Sequence, residues 1–337
     1  MRSIFTRVIL GAAMLSLAAN VAAQQDPHYS QFMYNKLNFN AGYAGATDGK
    51  ICATLIHRNQ WSGFGGGTST VGNTTIARGD APTNLVGSIN AALGSRIGIG
   101  ATIASDDQGF ENMVMPRLTL SYRHPMGDKG TLAAGVGIGY MQRNLQGDKL
   151  KALDPNDPNI PDEKVSGTAM DVDFGLYYTK DNLLGVVNNF YAGFSATHLN
   201  KNVITYEWKS FSTEIQSDIH MYFVTGGEYE LNSTMKLQPN ILIKKDPAKI
   251  QTDLNCFLVW NENIRGGLTW RPMDAAVVLV GYEFPFGLNV GYSYDLTTSK
   301  ILSYSSGSHE IMVRYCFGVT IPRKVPVLRS RYTPRFM

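Results

Sequence analysis

The chain has 337 residues, 44% hydrophobic and 17% charged, with 34 glycines, 17 tyrosines and a formal charge of only +3. That near-neutral balance excludes a nucleic-acid partner held by charge, and the lack of any run of about eighteen apolar residues after the leader excludes a helical membrane span. A soluble β-protein and a transmembrane barrel remain, the latter alternating lipid-facing and lumen-facing side chains.

Residues 1–23 carry Arg2 and Arg7, an apolar run from Val8 to Ala19, and Val21-Ala22-Ala23 before Gln24. This is the pattern of a secretory signal, with a core too short to cross a bilayer. No cysteine follows the cleavage position, so no lipid anchor is expected. The leader holds two of the 30 basic residues and none of the 27 acidic ones, so its removal brings +3 down to +1.

Residues 24–49 fit neither helix nor strand. Tyr29, Phe32, Tyr34, Phe39 and Tyr43 are interleaved with His28, Gln31, Asn35 and Asn40, with no period of 2 or 3.6. So aromatic a segment has to be buried against something, and Gly42 and Gly45 give it backbone freedom before the next element.

From Lys50 onward the pattern has a period of two. Leu132, Ala134, Val136, Ile138 and Tyr140 alternate with Gly135, Gly137 and Gly139, and Ile97, Ile99, Ala101 and Ile103 alternate with smaller or polar residues. One face is apolar and the other small. Such runs predict about fourteen strands, the even number bacterial barrels use. They lie near 50–58, 84–92, 96–104, 115–123, 131–142, 168–179, 188–198, 217–229, 234–244, 250–260, 264–271, 275–284, 287–295 and 308–318.

The links strengthen the barrel reading. Long ones at 59–83, 105–114, 143–167, 199–216 and 296–307 alternate with short ones such as 93–95, 230–233 and 261–263, as they must when one rim is extracellular and the other periplasmic. Should strand one rise outward, both chain termini face the periplasm. Arg117, Asp171, Asp173, Lys236, Gln238 and Asn240 fall on the face opposite the apolar one, which assigns them to the lumen. Tyr122, Tyr140, Tyr178, Trp260, Trp270 and Tyr282 fit interfacial girdles.

Residues 319–337 hold five basic side chains, Arg323, Lys324, Arg329, Arg331 and Arg335, and no acidic one. This tail is a separate basic element. Cys52, Cys256 and Cys316 lie in different predicted strands and lack metal-ligand spacing. They read as ordinary strand residues, with one disulfide as the alternative.

No catalytic set is legible. Gly63 to Gly67 is not followed by the Lys-Ser/Thr of a phosphate loop, and Asp154 to Asn159 lacks EF-hand spacing. His309 and Glu310 occupy opposite faces of one strand and cannot jointly activate a serine; Glu310 is expected to point inward toward a lumen arginine such as Arg314. No enzyme activity, cofactor or metal is assigned.

Asp26-Pro27-His28-Tyr29-Ser30-Gln31, Asn40-Ala41-Gly42-Tyr43-Ala44-Gly45 and Arg58-Asn59-Gln60-Trp61, with Asp106-Asp107-Gln108-Gly109 and Gly307-Ser308-His309-Glu310-Ile311, resemble the PorP/SprF family of the type IX secretion system. The resemblance spans nearly the whole mature chain. It implies an all-β transmembrane antiparallel barrel of about fourteen strands (50–318) in the outer membrane. An N-terminal segment (24–49) plugs or caps its lumen, and the basic tail (319–337) lies in the periplasm.

The implied role is in protein secretion, gliding motility or surface-adhesin attachment. The implied partners are outer-membrane lipid, an OmpA-like periplasmic peptidoglycan-binding protein, and a secreted adhesin or other type IX cargo. A transport channel for small or hydrophobic solutes, similarly plugged, is the alternative reading; a soluble exported lectin is the third.

Overall fold

The structure is a computed structural model that describes residues 26–65, 68–71, 74–77, 81–150, 160–209 and 211–318. The leader, the basic tail with Arg323, Lys324, Arg329, Arg331 and Arg335, and the Asp154 to Asn159 run lie outside the described residues.

The described residues form eighteen strands, in chain order β1 (Lys50–Asn59), β2 (Thr68–Val71), β3 (Thr74–Ala77), β4 (Thr83–Leu93), β5 (Ile97–Gln108), β6 (Glu111–Pro125), β7 (Gly130–Gln146), β8 (Lys164–Lys180) and β9 (Asn188–Thr197). The rest are β10 (Val203–Trp208), β11 (Phe211–Gln216), β12 (His220–Glu230), β13 (Met235–Lys245), β14 (Ile250–Trp260), β15 (Ile264–Arg271), β16 (Ala275–Glu283), β17 (Leu288–Thr297) and β18 (Ser308–Gly318). Among the described residues, fourteen of them close into one antiparallel barrel, in which β1 pairs with both β4 and β18. The pairs β2–β3 and β10–β11 are separate hairpins inside the long links.

The alternation read from the sequence is the alternation of the wall. Leu118 is 71% exposed and Ile138 54%, while Gly135, Gly137 and Gly139 between the exposed positions are buried. A wall with apolar side chains outward and polar or small ones inward is the inverse of a soluble protein and suits hydrocarbon. The assigned girdle residues Tyr122, Tyr140, Trp260, Trp270 and Tyr282 are also exposed on that outer face.

Three expectations are corrected. The link at 105–114 is mostly strand: Asp106 pairs with Met113 and Asp107 with Asn112, leaving a two-residue turn at Gly109, φ 62°. Asp106 is buried on the inner face while Asp107 is exposed on the outer one, so polar residues on both faces mimic a loop. Links after β1, β7, β9 and β17 nonetheless remain long, and together they define a long-link end; tight turns such as 94–96 and 261–263 define the other.

The cysteines are not all ordinary strand residues. Cys52 and Cys316 face each other across the β1–β18 seam and are joined as a disulfide, and Cys256 is free. Finally, the described ends of the chain do not share a rim. Gly318 pairs with Lys50 at the short-turn end, whereas Asp26 bonds to His198, just past the end of β9, and to Tyr222, near the start of β12, at the long-link end.

Candidate functional site

Asp26 to Gly45 forms three short 3-10 turns, Phe32–Tyr34, Lys36–Asn38 and Ala41–Tyr43. Nothing in its own sequence sustains a longer helix. Asn40 begins the third turn, its Oδ1 accepting the Gly42 N–H at 2.8 Å. Tyr29, Phe32, Tyr34, Phe39 and Tyr43 are all buried, against rings of the strands: Phe39 stacks on Tyr222 at 5.3 Å and Tyr43 meets Tyr177 edge-on at 5.2 Å.

Polar contacts fix the position of this segment, and the densest group of them surrounds Ser30. The Ser30 and Gln31 N–H groups donate to the two oxygens of Glu310, each at 2.8 Å. Ser30 Oγ donates to Asp295 at 2.9 Å and accepts from Arg58 at 3.0 Å and Arg271 at 3.1 Å. Arg58 pairs with Asp295 at 2.8 Å and Glu310 at 3.2 Å, and Arg271 with Asp253 at 3.0 Å and Asp295 at 3.1 Å. His28 closes the group on Asp253 at 2.8 Å. Two arginines and three carboxylates from five strands thus converge on one serine. Each buried charge has opposite charges beside it, the condition for tolerating such burial.

A second group holds Asp26. Its carboxylate meets His198 Nε2 at 2.8 Å and His220 Nδ1 at 3.0 Å, and Lys244 Nζ donates to its backbone carbonyl at 2.7 Å. Burial opposes the charge on Asp26, but the two imidazoles outweigh it and hold the carboxyl well below its usual range.

Further along, the segment lies directly on strand backbone. A Cβ at Gly135 would strike the Ala41 carbonyl, one at Gly175 the Asn40 side chain, and one at Gly98 the Ala44 carbonyl. The small inner surface read from Gly135, Gly137 and Gly139 is therefore occupied in part by this chain's own N-terminal segment. Asn40 Nδ2 donates to the Leu176 carbonyl at 3.0 Å, Ser121 Oγ to the Ala44 carbonyl at 2.7 Å, and the Gly45 N–H to Asn90 Oδ1 at 2.6 Å. Lys36 is also enclosed, with its ammonium 4.0 Å from the centre of the Tyr191 ring. Burial, with Arg314 adding to it, pushes the lysine down to about 7.

The sequence candidates separate into groups. Asp26, His28, Ser30, Gln31, Asn40, Tyr43, Ala44 and Gly45 all contact strands, Pro27 is half-buried between two of them, and Arg58 and Glu310 join the same group. Gln60 and Trp61 stand at the mouth, where the Trp61 N–H donates to Ser308 Oγ at 3.0 Å. Asp106 bonds Asn84 and Gln108 apart from this group, and Gly109 is in its turn. His309 faces outward and meets the Tyr292 hydroxyl at 2.7 Å.

The expected Glu310–Arg314 pairing is corrected. Four strand residues separate the two by about 13 Å at about 3.3 Å per residue, and Glu310 pairs with its cross-strand neighbour Arg58. Arg314 instead lines a cavity of about 580 Å³ at the short-turn end, together with Lys36, Arg123 and Arg265. Arg271, Asp253, Asp295, His198 and His220 were not singled out from sequence. Their only signal is a charged or imidazole side chain at an inward-facing or strand-end position.

A family profile described as type IX secretion system membrane protein PorP/SprF matches residues 21–315. No curated protein matches the chain. Among solved structures, the translocator domain of autotransporter NalP from Neisseria meningitidis is similar at 14% identity over 80% of this chain and 88% of that one, TM-score 0.41. The CymD monoaromatic hydrocarbon channel shares 11% identity over 80% and 88%, TM-score 0.44. A FadL homologue of Pseudomonas aeruginosa shares 10% over 86% and 94%, TM-score 0.45.

Proposed function

The chain belongs to the type IX secretion system membrane proteins PorP/SprF, and we propose that within that system it is a closed docking barrel whose own N-terminal segment plugs the lumen. It carries out no chemistry of its own. A fourteen-stranded barrel is too wide for its wall side chains to fill, and the bonds of Ser30, Gln31, Asn40 and Gly45 to strands around the wall supply the filling. That arrangement is the observation that carries the reading: a permanent, ionically fixed plug suits a structural component better than a pore.

With the long links outside the cell, as is usual for such barrels, Lys50 and Gly318 face the periplasm and Asp26 sits toward the outer mouth. The basic tail then leaves the barrel in the periplasm, where an OmpA-like peptidoglycan-binding partner would meet it. The outer links are left for an adhesin or other cargo.

Two measurements on the full chain test this. In planar bilayers it should stay silent, while deletion of residues 26–45 should open steady conductance. Removing Arg323 to Met337 should weaken co-purification of the OmpA-like partner without releasing the barrel from the membrane. Steady conductance by the intact chain would instead favour a transport channel.

A further inference from the structure

We propose that Asp26, His198 and His220 form a binding site for one divalent transition-metal ion of the zinc class. The three come from separate parts of the chain, the N-terminal segment, the end of β9 and the start of β12, and their ligand atoms all lie within 4.8 Å of one another. Asp26 bridges the two imidazoles, with Oδ1 2.8 Å from His198 Nε2 and Oδ2 3.0 Å from His220 Nδ1. An ion with ligands at about 2.0 Å would need these pairs to spread by only a few tenths of an ångström.

His220 points to a ligand independently of the clustering. It is 2% exposed; its Nδ1 meets Asp26 at 3.0 Å without the alignment of a hydrogen bond, and its Nε2 has no partner. Buried imidazoles normally satisfy at least one nitrogen, and a metal bond would satisfy this one.

The surroundings are those of a metal-bound histidine. His198 Nδ1 lies 2.9 Å from Asp171, which also accepts from Asn202 Nδ2 at 3.0 Å. A carboxylate behind the ring fixes the tautomer and leaves Nε2 free to ligate, the usual second layer of zinc sites. The Tyr222 hydroxyl steadies Asp26 in the same way. Asp171 and Asp173 are themselves occupied by Arg117, at 3.6 and 2.6 Å, which leaves the position between Asp26 and the two imidazoles as the ion's place. Two nitrogens with one carboxylate suit zinc, cobalt or nickel far better than calcium or magnesium, which take oxygen ligands. The Asp26 side chain keeps 18% exposure, so the ion has a path in. Because Asp26 is on the N-terminal segment and the histidines are on the wall, the ion would join the two.

The experiment uses the full chain in detergent, stripped with chelator and refilled with Co2+ or Zn2+ alone. The expected result is one ion per chain by elemental analysis, with Co2+ ligand-field bands of mixed nitrogen and oxygen ligation. H220A should abolish the stoichiometric ion, D171N should weaken binding about 10- to 100-fold, and replacing the exposed His124 should change nothing. Heat-modified gel migration confirms that each variant is a folded barrel, and D171N stands in should H220A not fold. No stoichiometric ion in the refilled wild type, or equal binding by H220A, overturns the proposal. Either result leaves the plug reading standing, because conductance tests that separately.

Discussion

The barrel wall and the Asp26 to Gly45 segment lie against each other, yet they are specified in opposite ways. The wall is a repeating ladder in which β7 and β8, for example, pair continuously from Gly130↔Lys180 to Gln146↔Lys164, so each outward side chain contributes little that its neighbours do not. The segment has no ladder. It is positioned by single side chains far away in sequence, Glu310, Asp295, Asn90 and Ser121 among them. Periodic structure spreads its stability over many equivalent contacts, whereas an aperiodic segment concentrates it in a few irreplaceable ones.

The largest expected break in that contrast is Arg58→Ala. It strips Asp295 and Glu310 of a shared buried counter-charge and should cost about 3–5 kcal/mol, read as lost thermal stability in detergent and new protease sensitivity within residues 26–45. An outward change such as Leu118→Ala, at 71% exposure, should leave both readouts near wild type.

Gly98→Ala sharpens the comparison, because the new Cβ would press on the Ala44 carbonyl and on the Ser121 hydroxyl that holds it. Overpacking of this kind costs about 1–3 kcal/mol. The segment should loosen, by protease mapping, while the barrel keeps its heat-modified gel shift.

The smallest effect concerns pH. Lys36 titrates at about 7 in the folded protein, against about 10.4 unfolded. Between those values the unfolded chain binds more protons, so stability rises with pH, and below about 7 the full penalty of burying the charge is felt. Lys36→Met should therefore raise the melting temperature most near pH 6, and the gain should shrink as pH climbs toward 10.

The same contrast explains what could be read without coordinates. Ile138 beside Gly137 and Gly139 already announces a wall strand with a lipid face and a small inner face, because strand geometry makes period two unavoidable. The segment announced only that it must be buried; its partners depend on which strand ends meet across the lumen, which no local pattern encodes. Arg314 was the natural partner for Glu310 along one strand, but cross-strand register put Arg58 there. The seam disulfide was open for the same reason, since pairing Cys52 with Cys316 requires knowing that the first and last strands close the ring. His198 and His220 were invisible as a pair because no spacing motif links the ends of two different strands.

The most direct test of the central claim is amide hydrogen exchange of the full chain in detergent or lipid, resolved at Ser30, Gln31 and Gly45, whose N–H groups donate to Glu310 and Asn90. The account predicts that they exchange as slowly as the paired amides of the barrel strands. Exchange at the rate of an unstructured peptide, with the strands still protected, would contradict it.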